Sequence, residues 1–211
     1  SASNARGTGL IITAVYDGPL TGGLPKGYEL LALEDIADLS LYGVGSANNG
    51  QGTDGMEFQL SGSATAGQFL YVTSDAYGFS DFFGFEADFV SNLAASINGD
   101  DAVELFYDAS GLFEGAETVA DTFGDIAGPN TNWNYADGWA VRTTPGTITG
   151  LAGSGATFNA ADWTFSGADA LDNASSNATA ATPVPLATFG DGAGITLGDT
   201  FLGEVLTDAS G

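Results

Sequence analysis

Three carboxylates stand close together at Asp100, Asp101 and Glu104, just after Asn98-Gly99. Hard cations such as calcium gather several oxygens at once, from carboxylates, carbonyls and water, and this spacing offers some of them. The same residues also suit a plain turn ahead of a strand. Gly99 accepts the positive φ of a tight turn, and Asp side chains bond nearby backbone N–H groups. Alternation along a strand that starts early would send Asp101 and Glu104 to opposite sides, and no EF-hand loop pattern accompanies them. A second pair, Asp54 and Glu57, lies in the polar run from Asn48 to Glu57, which equally reads as a solvated hairpin loop. Calcium is the one cofactor these residues suggest.

A second kind of chemistry is aromatic. Trp133, Tyr135 and Trp139 form a cluster whose ring faces suit stacking on a sugar or another ligand, and which suits the core and rim of a sandwich as well. Paired carboxylates run glycosidase reactions, but 27 acidic residues make such pairs inevitable by chance. Asn173-Ala174-Ser175 and Asn177-Ala178-Thr179 fit the N-glycosylation acceptor pattern, which has meaning only in a glycosylating host.

Whole classes of function drop out on composition. The 211 residues contain no His and no Cys. Imidazole-based triads, imidazole metal ligands, thiolate nucleophiles, disulfides and iron–sulfur sites are therefore excluded. Three bases against 27 acids give a net charge of −24, so direct, metal-free nucleic-acid binding is not expected. That acidity suits a salty or extracellular medium; the sharper reading is that some carboxylates hold calcium. With Arg6, Lys26 and Arg142 the only cations, a buried acid has few partners to choose from. Asp121 shares strand parity with Phe123 and so points inward at the sheet rim. The expected ion pair joins Arg142 to Asp121 or to Asp137.

The elements that must position these residues are strands. Leu10–Tyr16, Tyr28–Leu33, Leu39–Val44, Met56–Leu60, Phe69–Thr73, Ala102–Tyr107, Val119–Phe123, Trp139–Thr143 and Trp163–Phe165 are β-prone runs separated by turn residues. Each is expected to bury one face and wet the other. One short helix is expected after Ser80 as its cap, through Phe85. Many short strands with glycine-rich turns predict an all-β sandwich or barrel. Residues 173–185 should be extended and exposed. Ile195–Leu197 and Phe201–Leu206 read as two more strands, too few to fold alone. No apolar run approaches the ~20 residues of a membrane-spanning helix, so no transmembrane segment is expected. The start at Ser1 rather than Met suits a processed product, such as one released from a signal peptide.

The order of motifs resembles a known family. Lys26-Gly27-Tyr28-Glu29-Leu30 and Ala37-Asp38-Leu39-Ser40 look like the start of a lamin-tail-type domain. Ile97–Leu105, Val119–Asp125, Trp133–Arg142 and Asp162–Gly167 continue the series. The pattern resembles the bacterial extracellular branch of the family, whose modules sit beside secreted endonuclease/exonuclease/phosphatase-type enzymes or in large surface proteins. The resemblance runs from about Gly9 to Pro185. It implies an immunoglobulin-like β-sandwich with an accessory, non-catalytic role. The enzymes that carry such modules use His in their catalytic domain; with none here, nuclease activity does not transfer. The expected organisation is an N-terminal arm (1–8), a lamin-tail-like sandwich (9–185), and C-terminal strands (186–211) that pack on the sandwich or on a neighbouring subunit.

Two functions fit. The first is a non-catalytic structural protein of the cell exterior, a self-assembling subunit of a surface layer, sheath or filament, stabilised by calcium, with copies of itself as partners. The alternative is an accessory binding or targeting module of a secreted nuclease or phosphatase.

Overall fold

The β-branched run that opens the sequence forms the longest described strand, β1 (Leu10–Leu20), which hairpins into β2 (Leu24–Ala32). In chain order there follow β3 (Tyr42–Ala47), β4 (Phe58–Gln59), β5 (Phe69–Thr73), β6 (Phe89–Val90), β7 (Ala102–Tyr107), β8 (Thr118–Phe123), β9 (Trp139–Arg142) and β10 (Trp163–Phe165). Two short helices interrupt them, α1 (Ala76–Phe83) and α2 (Asn92–Ala95). This computed structural model describes residues 9–128, 132–143 and 158–190.

The strands form two sheets, one ordered β10-β9-β1-β2-β5-β6 and the other β4-β3-β7-β8. Among the described residues, ten strands in two sheets with little helix make an all-β sandwich, as the spacing of β-prone runs predicts. All pairings are antiparallel except β5 with β6. The core between the sheets is built from Ile12, Val15, Tyr28, Leu30, Val44, Leu105 and Phe123, among others.

A bulge sets the first strand's register. Ile12 pairs with Leu30 and Ala14 with Glu29, leaving Thr13 as the extra residue. An inserted residue reverses which face later side chains occupy. Leu10 and Ile12 before the bulge and Val15 after it therefore all face the core, while Ala14 and Tyr16 turn outward.

That outward face is not wet, contrary to the one-sided burial expected of each strand. α1 and the segment after β10 roof it: Phe79, Phe82, Leu171, Ala174 and Val184 pack on Ala14, Tyr16, Trp139 and Val141. Covering both faces explains why β1 is apolar almost without alternation. Residues 173–185 are mostly exposed, as their composition predicts, but they are not one extended stretch. They include the 3-10 turn Asn177–Thr179, and Ala174 and Val184 are buried. The Asn177 side chain holds the backbone of Val184 from both sides, and Trp139 Nε1 donates to the Thr182 carbonyl at 2.9 Å.

Other boundaries differ from expectation too: β1 runs on to Leu20 and β2 starts at Leu24. α1 begins earlier, capped by Asp75, whose Oδ1 accepts the Gly78 N–H at 2.6 Å; Ser80 lies inside the helix and donates to the Tyr77 carbonyl. Leu39–Leu41 is a 3-10 turn capped by Asp38, so β3 starts only at Tyr42. Of Met56–Leu60, only Phe58–Gln59 is paired as strand. The arm 1–8 and the strand candidates Ile195–Leu197 and Phe201–Leu206 lie outside the described residues. No helix among the described residues is long and apolar enough to cross a membrane.

Candidate functional site

The turn at Asn98-Gly99-Asp100-Asp101 is a fully bonded junction. Asp101 is buried, and its two carboxylate oxygens accept the backbone N–H groups of Asn49 (2.9 Å) and Asn98 (2.7 Å). Burial pushes its pKa up, and those two N–H groups pull it back. Tyr135 donates its hydroxyl to the Asp101 carbonyl at 2.8 Å. Lys26 donates to Asn98 Oδ1, the Ile97 carbonyl and Asp17 Oδ1. Asp101 thus clamps loop to loop through its two backbone bonds. Gly99 is required for a different reason than a positive φ, which it does not adopt: an added Cβ would overlap the Ala136 backbone nitrogen. Asp100 is half-buried beside this junction.

Glu104 occupies a different setting from Asp101, three residues along β7. Its cross-strand partners are Gly45 on β3 and Thr122 on β8, on the side of the four-stranded sheet away from the core. The loop of residues 48–57 folds back over that side. The Gly55 carbonyl lies where a side chain on Gly45 would be. Glu104 is 2% exposed. Burial raises its pKa above the ordinary range; a hydrogen bond from Thr53 lowers it, and the charge of nearby Asp54 raises it again. Its Oε2 is buried with no hydrogen-bond partner. The structure therefore joins two stretches that the sequence presents as separate candidates, Asp54 from the loop and Glu104 from the strand. Glu57 is engaged otherwise: its Oε2 accepts the Ser46 N–H (2.8 Å) and hydroxyl (3.1 Å), which pins the loop's far end to β3. Asn48 bridges the Ser46 hydroxyl and Asp54 Oδ2.

The aromatic candidates are core residues. Trp133 and Tyr135 are 2% and 0% exposed, and Trp139 is 8%. Phe123 meets Trp133 and Tyr135 edge-on, at ring-centroid distances of 5.8 and 5.4 Å, and Phe158 packs on Trp133 at 6.0 Å. Trp139 lies under the roof with Val184 and Leu171. Their ring faces serve packing in place of the external stacking surface expected of them.

Two other groups were invisible in sequence. Glu29 is 1% exposed between β1 and the roof. Its Oε1 accepts the Thr13 hydroxyl at 2.7 Å, and its Oε2 accepts the Ala187 N–H at 2.6 Å. Burial raises its pKa to about 7 against the opposing effect of bonds from Thr13, Ala187 and Tyr71. Asp137, Asp169 and Asp172 bring one carboxylate oxygen each within 4.8 Å of one another at the surface. More than thirty residues separate the first from the other two, so no local pattern announces the group.

The predicted Asp–Arg142 pair is present, with Asp121 as its acid (2.8 Å). Asp137 instead donates its backbone N–H to Asp17. No family model matches the chain, and neither a curated protein nor a solved structure does.

Proposed function

We propose that the chain is a non-catalytic structural subunit of the bacterial cell exterior that associates with copies of itself into a surface layer, sheath or filament. The observation that carries this reading is how residues 186–190 are held. They lie on the outside of the six-stranded sheet, where Phe189 packs on Ile11, Leu31 and Leu33 and the Ala187 N–H bonds Glu29. This is a small receptor for a short, turn-forming segment, built on the sheet and separate from the main core. Such a receptor accepts the equivalent segment of a neighbouring copy through the same contacts. Exchange of that kind is head-to-tail and propagates. The absence of His and Cys supports a role without imidazole or thiol chemistry. The motifs of the lamin-tail resemblance support an accessory sandwich of immunoglobulin-like type.

Light scattering and electron microscopy on the full chain test the reading. The expected result is concentration-dependent oligomers, and a folded monomer once residues 186–211 are removed. Unchanged polymers from the shortened chain, or a full chain that is monomeric at every concentration, overturn it. The second outcome favours an accessory module of a secreted nuclease or phosphatase.

A further inference from the structure

We propose that Glu104, Asp54, Thr53 and the Gly55 carbonyl form a binding site for one hard divalent cation of the calcium class. This inference is independent of the assembly reading.

The first support is the orphaned oxygen. Glu104 is almost wholly enclosed, yet its Oε2 has no donor. A buried carboxylate without a partner is costly, and in a native fold it calls for a proton or a bound ion. The second support is the chemistry around it, which is entirely oxygen. The loop that carries Thr53 and Asp54 folds over the face of Glu104, and the influence of both residues on the Glu104 pKa accords with that placement. Gly45 and Glu104 are directly opposed across β3 and β7. Opposed residues on one face carry their Cβ positions about 4.5–5.5 Å apart. The Gly55 carbonyl, seated at the vacant position on Gly45, is thus a neighbour of Glu104.

The third support is charge. Among the described residues the cationic side chains are Lys26 and Arg142, engaged with Asp17 and Asp121 respectively. Neither cation is left for Glu104 or Asp54, so a counterion for them comes from solution. Calcium takes roughly six to eight oxygens in flexible geometry. Two carboxylates, a hydroxyl and a carbonyl supply part of that shell, and the exposure of Thr53 and Asp54 leaves room for water to complete it. The strict octahedron of magnesium fits a strand-plus-loop site less well. The surface trio Asp137, Asp169 and Asp172 has no such enclosed, unpartnered group and serves as the control.

The test is calorimetric titration of calcium chloride into the chelator-treated full chain, with thermal unfolding in parallel. One site is expected at a dissociation constant of about 10⁻⁴–10⁻³ M, the range of extracellular modules, with melting temperature rising with calcium. Asp54→Asn, a surface change that leaves packing intact, is expected to weaken binding about tenfold or more. Glu104→Gln is expected to abolish both heat and shift, while Asp137→Asn leaves both unchanged. The proposal is overturned if the full chain shows neither heat nor shift at millimolar calcium. It is equally overturned if Asp54→Asn and Glu104→Gln respond as the unaltered chain does, in which case a proton alone satisfies Glu104. Light scattering in the same samples reads the assembly state separately.

Discussion

Asp121 and Arg142 join the two sheets through a single guanidinium nitrogen. Arg142 Nη2 lies 2.9 and 2.8 Å from the two oxygens of Asp121, and Oδ2 also accepts the Ile12 N–H at 2.8 Å. Asp121 comes from β8 in one sheet; Arg142 and Ile12 come from β9 and β1 in the other. The guanidinium also stacks over Trp163 at 5.0 Å. The pair is buried, so removing one member strands the other.

Asp121→Ala should therefore cost about 3–5 kcal/mol in chemical unfolding, because it leaves a buried guanidinium and a backbone N–H unmatched. The loss should vary little with added salt, since a buried pair is screened weakly. A cost below about 1 kcal/mol would show that water reaches this rim.

Glu29 predicts the sign of the pH dependence. Its pKa is about 7 in the fold against an ordinary 4.5, so between those values the folded state holds a proton that the unfolded state has released. Stability from this group is complete below 4.5 and is lost as pH rises through about 7. The difference corresponds to roughly 3 kcal/mol. Asp17, Asp101 and Glu104 are raised by burial too and act in the same direction. Melting temperature should fall from pH 5 to pH 8, and Glu29→Gln should flatten the profile. An unaltered slope in that variant would assign the effect to the other acids or to net charge.

Gly45→Ala should destabilise the chain by about 1–3 kcal/mol, since the new methyl group collides with the Gly55 carbonyl and must displace the loop. The same variant should weaken calcium binding, because the displaced carbonyl is one of the proposed ligands. Hydrogen exchange across residues 48–57 locates the change.

Trp133→Ala should cost about 3–5 kcal/mol, as expected of a large ring removed from a packed interior. Added sugars should leave the native tryptophan emission unchanged, because all three indoles are buried. A saccharide-dependent spectral shift would restore the ligand-stacking role.

Parity and scarcity made part of this legible from sequence. Asp121 shares its face with Phe123 on β8, and only three cations were on offer, so a pair of Arg142 with Asp121 or Asp137 could be named from the chain alone, and the structure selects Asp121. Composition and turn spacing likewise announced an all-β sandwich. The meeting of Asp54 with Glu104 was not legible, because it depends on the register of β3 against β7 and on an absent side chain at Gly45. The roof was missed because residues 173–185 are small and polar by count; it takes the contacts of Ala174 and Val184 to show that they cover Tyr16 and Trp139. The helix start was misplaced because Ser80 and Asp75 are both competent caps, and the residues ahead of Ser80 decide between them.

The two-sided burial of β1 bears on how the polypeptide reaches its final form. Ala14 pairs with Val141, and the strand's outer side, covered in part by Phe79 and Phe82 of α1, is completed by residues as late as Val184 and Phe189. A nascent chain can pair its first strand with β2 at once, but the other flank waits for β9 and the outer face for the roof, until much of the described length has emerged. Pairings this distant in sequence make folding slow, and the outer face of β1 stays open until the chain's later segments arrive.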